Sequence, residues 1–287
     1  MKRLFGLLLV AMAWMVVSAQ PESKIPQEMQ HSPAQDSILA RPVTYPAYIV
    51  KPRYVPTRVD VLSINNSLIY VNKQDSVFNS IAAERGKDAR WTMHTLLGRT
   101  LLRHWEEGDS VNEKGNYTAK YKVRNHAWTH IVLQEQSRLP RANFEWFRQS
   151  VHQWVDYIRR NCPNPDVQII LTMNWGYSTA FDKYTEQNEI LYRNCLALAQ
   201  ECGITLCPVG LGNQDFYERG GKELAGLLHN DECHPSFRGT YMASCMEYAV
   251  IFNDSALNIG YDHPRLTAEQ CREVRECVQR VLNKFVQ

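Results

Sequence analysis

Near the C-terminus, the block Asp231-Glu232-Cys233-His234-Pro235 holds the residue types of a proton relay. A carboxylate three residues before a histidine can, in a turn-like loop, orient the imidazole and stabilise its protonated form. Such a histidine is the base that a serine hydroxyl needs, because the hydroxyl alone is a weak nucleophile. Ser67, in Asn65-Asn66-Ser67-Leu68, directly follows the first strand-like run and is the candidate nucleophile. Acyl transfer also needs donors aimed at the developing oxyanion. The candidates are the backbone N–H groups of Ser67 and Gly98 and the side-chain amide of Gln136 in Gln134-Glu135-Gln136-Ser137. A glycine at 98 lets backbone approach a substrate closely. Asn66, Gln134, His104 and Trp175 are candidates for substrate contact, Trp175 as a platform for a sugar ring. Each residue also has a plainer reading. Ser67 and Asn66 can be turn formers, Asp231 can cap the following helix, Gln136 can bridge loops, and His104 and Trp175 can pack in the core.

These residues need a scaffold that gathers them. Strands are expected at 59–64, 90–95, 129–133, 167–173 and 204–209. Helices are expected at 75–85, 142–160, 185–202, 237–252 and 267–285. The helix over 142–160 is the clearest, with Phe144, Phe147, Val151, Trp154, Val155 and Ile158 at three- and four-residue steps. The polar stretch 104–126, with Gly108 and Gly115, reads as a long loop. Strands alternating with helices imply βαβ units, a five-stranded parallel sheet and a three-layer α/β/α sandwich. Ligand sites in such sheets lie at the C-terminal ends of the strands. The Ser67, Gly98 and Gln136 blocks, with Asn174-Trp175-Gly176 and Gly210-Leu211-Gly212-Asn213, follow the strands, and Asp231-Glu232-Cys233-His234-Pro235 stands just before a helix near the end of the domain, so all are expected to share one rim.

The order of the blocks resembles the SGNH/GDSL hydrolase superfamily, in particular a secreted bacterial branch of Bacteroides-type genomes. The resemblance spans about residues 58–252. It rests on Asn65-Asn66-Ser67, Gly98, Val132-Leu133-Gln134-Glu135-Gln136-Ser137, Asp231-Glu232-Cys233-His234-Pro235 and the run from His234 to Tyr241. It implies a flavodoxin-like SGNH hydrolase fold and a Ser67–His234–Asp231 triad. It further implies an oxyanion hole of Ser67, Gly98 and Gln136, and ester hydrolysis without a cofactor. With export, it implies removal of O-acetyl groups from a carbohydrate. A lipase or thioesterase for longer acyl chains is the second reading, and an inactive SGNH-fold protein that binds glycan or protein is the third. Three positions depart from the pattern. Asn65 stands where the branch has glycine, and its side chain could crowd the nucleophile's turn. Gln136 replaces the superfamily's asparagine. Glu232 replaces a glycine after the triad aspartate and could place a second carboxylate near the pocket.

The chain has 287 residues, a formal net charge of +2 and 44% hydrophobic residues. This is ample for a core without disulfide staples. The balance of charge argues against a nucleic-acid partner, which would require a local excess of Lys and Arg. Lys2 and Arg3, the apolar run Leu4–Val17 and the small residues to Ala19 read as a signal peptide over 1–19. That run is too short to span a bilayer. Its removal leaves the basic residues equal in number to the 30 Asp and Glu. Residues 20–57 hold seven of the 13 prolines and read as a linker, whose later part, from Tyr45 to Tyr54, could lie along the domain. Residues 58–287 are the domain. The eight cysteines all lie in its second half, as small buried hydrophobes or in a disulfide. There is no CxxC pair, and His229, Asp231, Cys233 and His234 match no strong zinc motif. No metal, cofactor or membrane span is expected, and the site would take a small-molecule or glycan ester.

Overall fold

Five runs become strands: β1 (Arg58–Asn65), β2 (Asp88–Thr95), β3 (His130–Leu133), β4 (Gln168–Thr172) and β5 (Thr205–Cys207). They form one sheet in the order β2-β1-β3-β4-β5. Every pairing is parallel, β1 meeting β2 from Arg58↔Asp88 to Asn65↔Thr95 and β3 from Val61↔His130 to Ile64↔Leu133. The computed structural model that provides this description covers residues 42–45 and 56–285. The expected signal peptide and most of the linker lie outside the described residues. Tyr45, from the linker, packs its ring against Tyr192 and Phe285, with centroids 5.3 and 5.7 Å away.

The helices are α1 (Ser67–Tyr70), α2 (Gln74–Glu84), α3 (Leu101–Glu106), α4 (Ala119–Arg124), α5 (Leu139–Ala142), α6 (Phe144–Asn161), α7 (Tyr184–Cys202), α8 (Val209–Gly226), α9 (Phe237–Phe252) and α10 (Ala268–Asn283). On one side α9 packs between α2 and α10; on the other α6 packs against α3, α4 and α7. The sheet lies between, and all four residues of β3 are buried. The α/β/α sandwich with a five-stranded parallel sheet is the expected one. The apolar face of α6 buries Phe147, Val151, Trp154, Val155 and Ile158 as its periodicity requires. Each such burial contributes about 1.5–3 kcal/mol. Helix α9 is different: every residue from Arg238 to Phe252 is buried, as in a helix covered on all sides. Among the described residues no helix is long and apolar enough to cross a membrane.

Two expectations change, and one open choice is decided. The stretch 104–126 is not all loop: it holds the end of α3 and all of α4. Thr100 and Thr118 cap these two helices by accepting the N–H of Arg103 and Tyr121. Gly210-Leu211-Gly212-Asn213 is not a loop after β5 but the opening of α8. A Cβ at Gly210 would lie 2.0 Å from the Asn174 carbonyl oxygen, and one at Gly212 would lie 2.6 Å from Met242 Sδ. Here glycine permits close packing and does not mark a turn. Finally, all eight cysteines are free thiols, and no disulfide forms. Six are buried as small apolar side chains; Cys162 and Cys233 are partly buried.

Candidate active site

The direction of strand order reverses between β1 and β3, because the chain first adds β2 on one side of β1 and then β3 on the other. A crevice opens at the C-terminal ends of strands at such a switch point. Ser67 follows β1 and Gln136 follows β3, so both stand at it. Asn66 has an extended backbone and caps α1, its Oδ1 accepting the Leu68 N–H at 3.1 Å. Ser67 is therefore the first residue of a short helix and is half-buried. Its Oγ lies 2.9 Å from His234 Nε2, and His234 Nδ1 lies 2.9 Å from Asp231 Oδ2.

The loop that carries Asp231 and His234 is held on several sides. Asp231 Oδ1 accepts the backbone N–H of His234 at 2.8 Å and of Cys233 at 3.0 Å. The Asn230 N–H donates to the His234 carbonyl at 2.8 Å. Trp175 Nε1 donates to the Cys233 carbonyl at 2.9 Å, and Ser178 Oγ donates to the Asp231 carbonyl at 2.8 Å. Asn72 Nδ2 donates to the Pro235 carbonyl at 2.8 Å. Asp231 does not cap α9; Ser236 does, accepting the Gly239 N–H. Burial raises the Asp231 carboxyl, but the two backbone N–H groups and the imidazole outweigh it and hold the carboxyl below its usual range. Cys233 is a nucleophile type beside this relay, with Sγ 3.9 Å from His234 Nδ1. Burial and the charges of Asp231 and Glu232 push its thiol up to about 11, so it stays protonated at neutral pH. Asp231, Cys233 and His234 are close enough together to ligate a metal ion, yet their contacts already form the relay.

The three expected oxyanion donors, the Ser67 N–H, the Gly98 N–H and Gln136 Nε2, have no protein acceptor among the described residues. Gly98 has φ +66°, in a turn closed by the Arg99 N–H donating to the Leu96 carbonyl. Gln136 Oε1 accepts the N–H groups of Arg138 and Leu139 at 2.8 and 3.1 Å, which fixes its amide at the head of α5. Asn66 binds the loops together. Its Nδ2 donates to the Arg99 carbonyl at 3.2 Å, and its N–H donates to Gln134 Oε1 at 3.3 Å.

The four expected substrate contacts are corrected. Asn66 is 2% exposed, Gln134 1%, His104 1% and Trp175 6%, which leaves no area for a ligand. Gln134 Nε2 donates to Asn174 Oδ1 at 2.9 Å, joining the third and fourth loops. His104 Nε2 lies 2.8 Å from the Asn65 carbonyl oxygen. Trp175 braces the relay loop and is no sugar platform. Asn65 does not crowd the turn. It ends β1 in register with Thr95, and its Oδ1 accepts the Thr95 hydroxyl at 2.6 Å while its Nδ2 donates to Ser63 Oγ at 2.6 Å. The position has no positive φ, so glycine is not required there. Glu232 is exposed and accepts the Thr179 hydroxyl at 3.2 Å.

Sequence reasoning passed over Glu135. It is fully buried beside Gln136 and accepts the N–H groups of Leu101 at 3.1 Å and Gln136 at 2.6 Å. Burial pushes its carboxyl up to about 8, and those two N–H groups offset this only in part. A charged residue between two amides in a strand-end block was the available signal.

No family model matches the chain, and no curated protein matches it. Solved structures do. A DUF4886 family protein from Bacteroides uniformis superposes with a TM-score of 0.66 at 16% identity, covering 79% of this chain and 95% of that one. A provisionally assigned SGNH hydrolase from Slackia heliotrinireducens gives 0.51 at 20% identity, over 68% and 99% of the two chains. A lipase/acylhydrolase from Enterococcus faecalis gives 0.50 at 10% identity, over 68% and 96%. At these identities the likeness is one of fold: the chain carries the α/β fold of the SGNH hydrolases, a five-stranded parallel sheet between layers of helices.

Proposed function

We propose that this chain is a serine esterase acting through Ser67, His234 and Asp231, and that it removes O-acetyl groups from a carbohydrate after export. The observation that carries the reading is the continuous relay, 2.9 Å from Ser67 Oγ to His234 Nε2 and 2.9 Å from His234 Nδ1 to Asp231 Oδ2. His234 takes the Ser67 proton as Oγ attacks the acyl carbon. The N–H groups of Ser67 and Gly98 and the amide of Gln136 hold the tetrahedral oxyanion. The C–O bond to the alcohol then breaks, and the alcohol leaves with the proton from His234. Water, deprotonated by the same imidazole, attacks the acyl-enzyme, and acetate leaves as Ser67 regains its proton.

The His234 and Asp231 side chains are 30% and 50% exposed. A relay that open meets a small acyl group on a bulky alcohol without enclosing the alcohol, which favours a glycan over a buried lipid. The longer-chain reading draws on Leu97 and Tyr70, exposed apolar side chains beside Gly98 and Ser67. The purified chain should hydrolyse p-nitrophenyl acetate, and Ser67→Ala should lose at least ~10³-fold in kcat/KM. Equal inertness of the two would return the chain to the binding-protein reading. Faster turnover of p-nitrophenyl palmitate would replace the carbohydrate with a lipid. Acetate release from acetylated glycans, with Ser67→Ala as control, names the alcohol.

A further inference from the structure

One buried cluster takes no part in this chemistry. His94 lies next to the last residue of β2, His104 lies in α3, and Glu107 caps the C-terminus of α3. The two histidines are 5% and 1% exposed. Glu107 Oε2 is 2.6 Å from His94 Nε2 and 3.8 Å from His104 Nδ1, and the donor atoms of all three residues lie within 4.8 Å of one another.

The His104 ring is the informative member. Its Nε2 faces the Asn65 carbonyl at 2.8 Å, and a carbonyl can only accept, so Nε2 carries the hydrogen. Nδ1 is buried without a hydrogen-bond partner among the described residues. At 3.8 Å it is too far from Glu107 for a hydrogen bond. A buried nitrogen facing a carboxylate across that gap is an arrangement that a cation between them would satisfy. We propose that His94, His104 and Glu107 bind one divalent cation of the zinc class. Imidazole nitrogen and carboxylate oxygen are zinc donors, and three protein ligands leave the fourth place to water. Tetrahedral ligands about 2 Å from an ion sit about 3.3 Å from one another. The two separations from Glu107, 2.6 and 3.8 Å, bracket that value, and the two imidazole nitrogens lie within 4.8 Å of each other. The outer contacts also suit the role. The Asn65 carbonyl fixes the His104 tautomer, as partners of ligating histidines do, and Asn112 Nδ2 orients Glu107 Oε1 at 3.1 Å. Lys122 faces Glu107 from α4, its Nζ donating to the Met93 carbonyl at 3.5 Å, and opposes a second cation. A bound ion would clamp β2 to α3 behind the carbonyl of Asn65, two residues from Ser67. This site does not depend on the esterase reading.

Zinc titration of the EDTA-treated full chain by calorimetry tests the site, with Tm as a second readout. The wild type should bind one zinc, and zinc at a hundredfold excess over Kd should raise Tm by about 5–10 °C. Glu107→Gln and His94→Gln should each lose ~100-fold or more in affinity along with the Tm rise. Lys122→Met should tighten binding. His234→Ala, which breaks the Asp231, Cys233 and His234 group, should leave zinc affinity unchanged. Absence of saturable binding by the wild type, or unchanged affinity in Glu107→Gln, overturns the proposal. Binding lost only in His234→Ala also overturns it and places the ion on the relay.

Discussion

Replacing Glu135 by glutamine tests whether a neutral carboxyl lies beneath the third loop. The carboxyl titrates near 4.5 in an unfolded chain and about 8 here, and burial is the main cause. A carboxyl with its folded-state pKa raised stabilises the fold fully below the unfolded value and loses that contribution as pH rises through the folded one. The window is thus about pH 4.5 to 8. Across it, Glu135 should cost the fold about 1.4 kcal/mol per pH unit, to an upper limit of about 5 kcal/mol above pH 8. Glutamine keeps a carbonyl acceptor for the Leu101 or Gln136 N–H and carries no charge. Glu247, buried and likewise raised to about 8, titrates in both proteins and cancels from the difference. Urea unfolding followed by tryptophan fluorescence at pH 5, 6, 7 and 8 gives the two stabilities. The advantage of Glu135→Gln should grow with each step in pH and reach several kcal/mol at pH 8. A wild-type-minus-variant difference that stays constant over pH 5–8 would refute the reasoning, because it would mean that the carboxyl is already ionised at pH 5.

The remaining predictions concern geometry. Gly98→Ala should cost about 1 kcal/mol, seen as a Tm lower by about 2–4 °C, because φ is +66° there and no atom lies within 4 Å of an added Cβ. Trp175→Phe removes the hydrogen bond to the Cys233 carbonyl, worth about 1 kcal/mol. It should lower kcat on p-nitrophenyl acetate and leave KM unchanged, whereas a raised KM for sugar esters alone would restore the platform reading. In thiol titration without reductant, Cys162 and Cys233 should react first in the native protein and all eight cysteines after unfolding. A shortfall after unfolding would reveal a disulfide.

The sheet and the relay were legible because their signals are local. An apolar run ending in Asn-Asn-Ser marks the end of β1, and Asp231 and His234 are close enough in sequence to share one loop. What escaped depends on packing. Gly210 and Gly212 read as loop residues, yet they lie in a helix pressed onto Asn174 and Met242, and only the fold shows that a Cβ has no room there. Position after a strand brings a residue to the rim but does not say which way its side chain turns. Gln134 and Trp175 turn inward to hold loops, while Gln136 Nε2 meets no protein acceptor among the described residues. Asn65 looked like a departure on chemical type alone. Its hydrogen bonds to Thr95 and Ser63 make it an ordinary strand residue. His94 and His104 come from separate elements, so their approach to Glu107 has no signature in spacing.

The Ser67–His234 contact joins residues 167 positions apart. Contacts of that separation close late, because the loop entropy must be met before the contact returns anything. During synthesis, a chain that already holds the whole sheet still lacks the base for its own serine. On the proposed function, the chemistry waits until the loop before α9 brings His234 to Ser67. On the same reading, hydrolysis of p-nitrophenyl acetate during refolding would return only once this contact has closed.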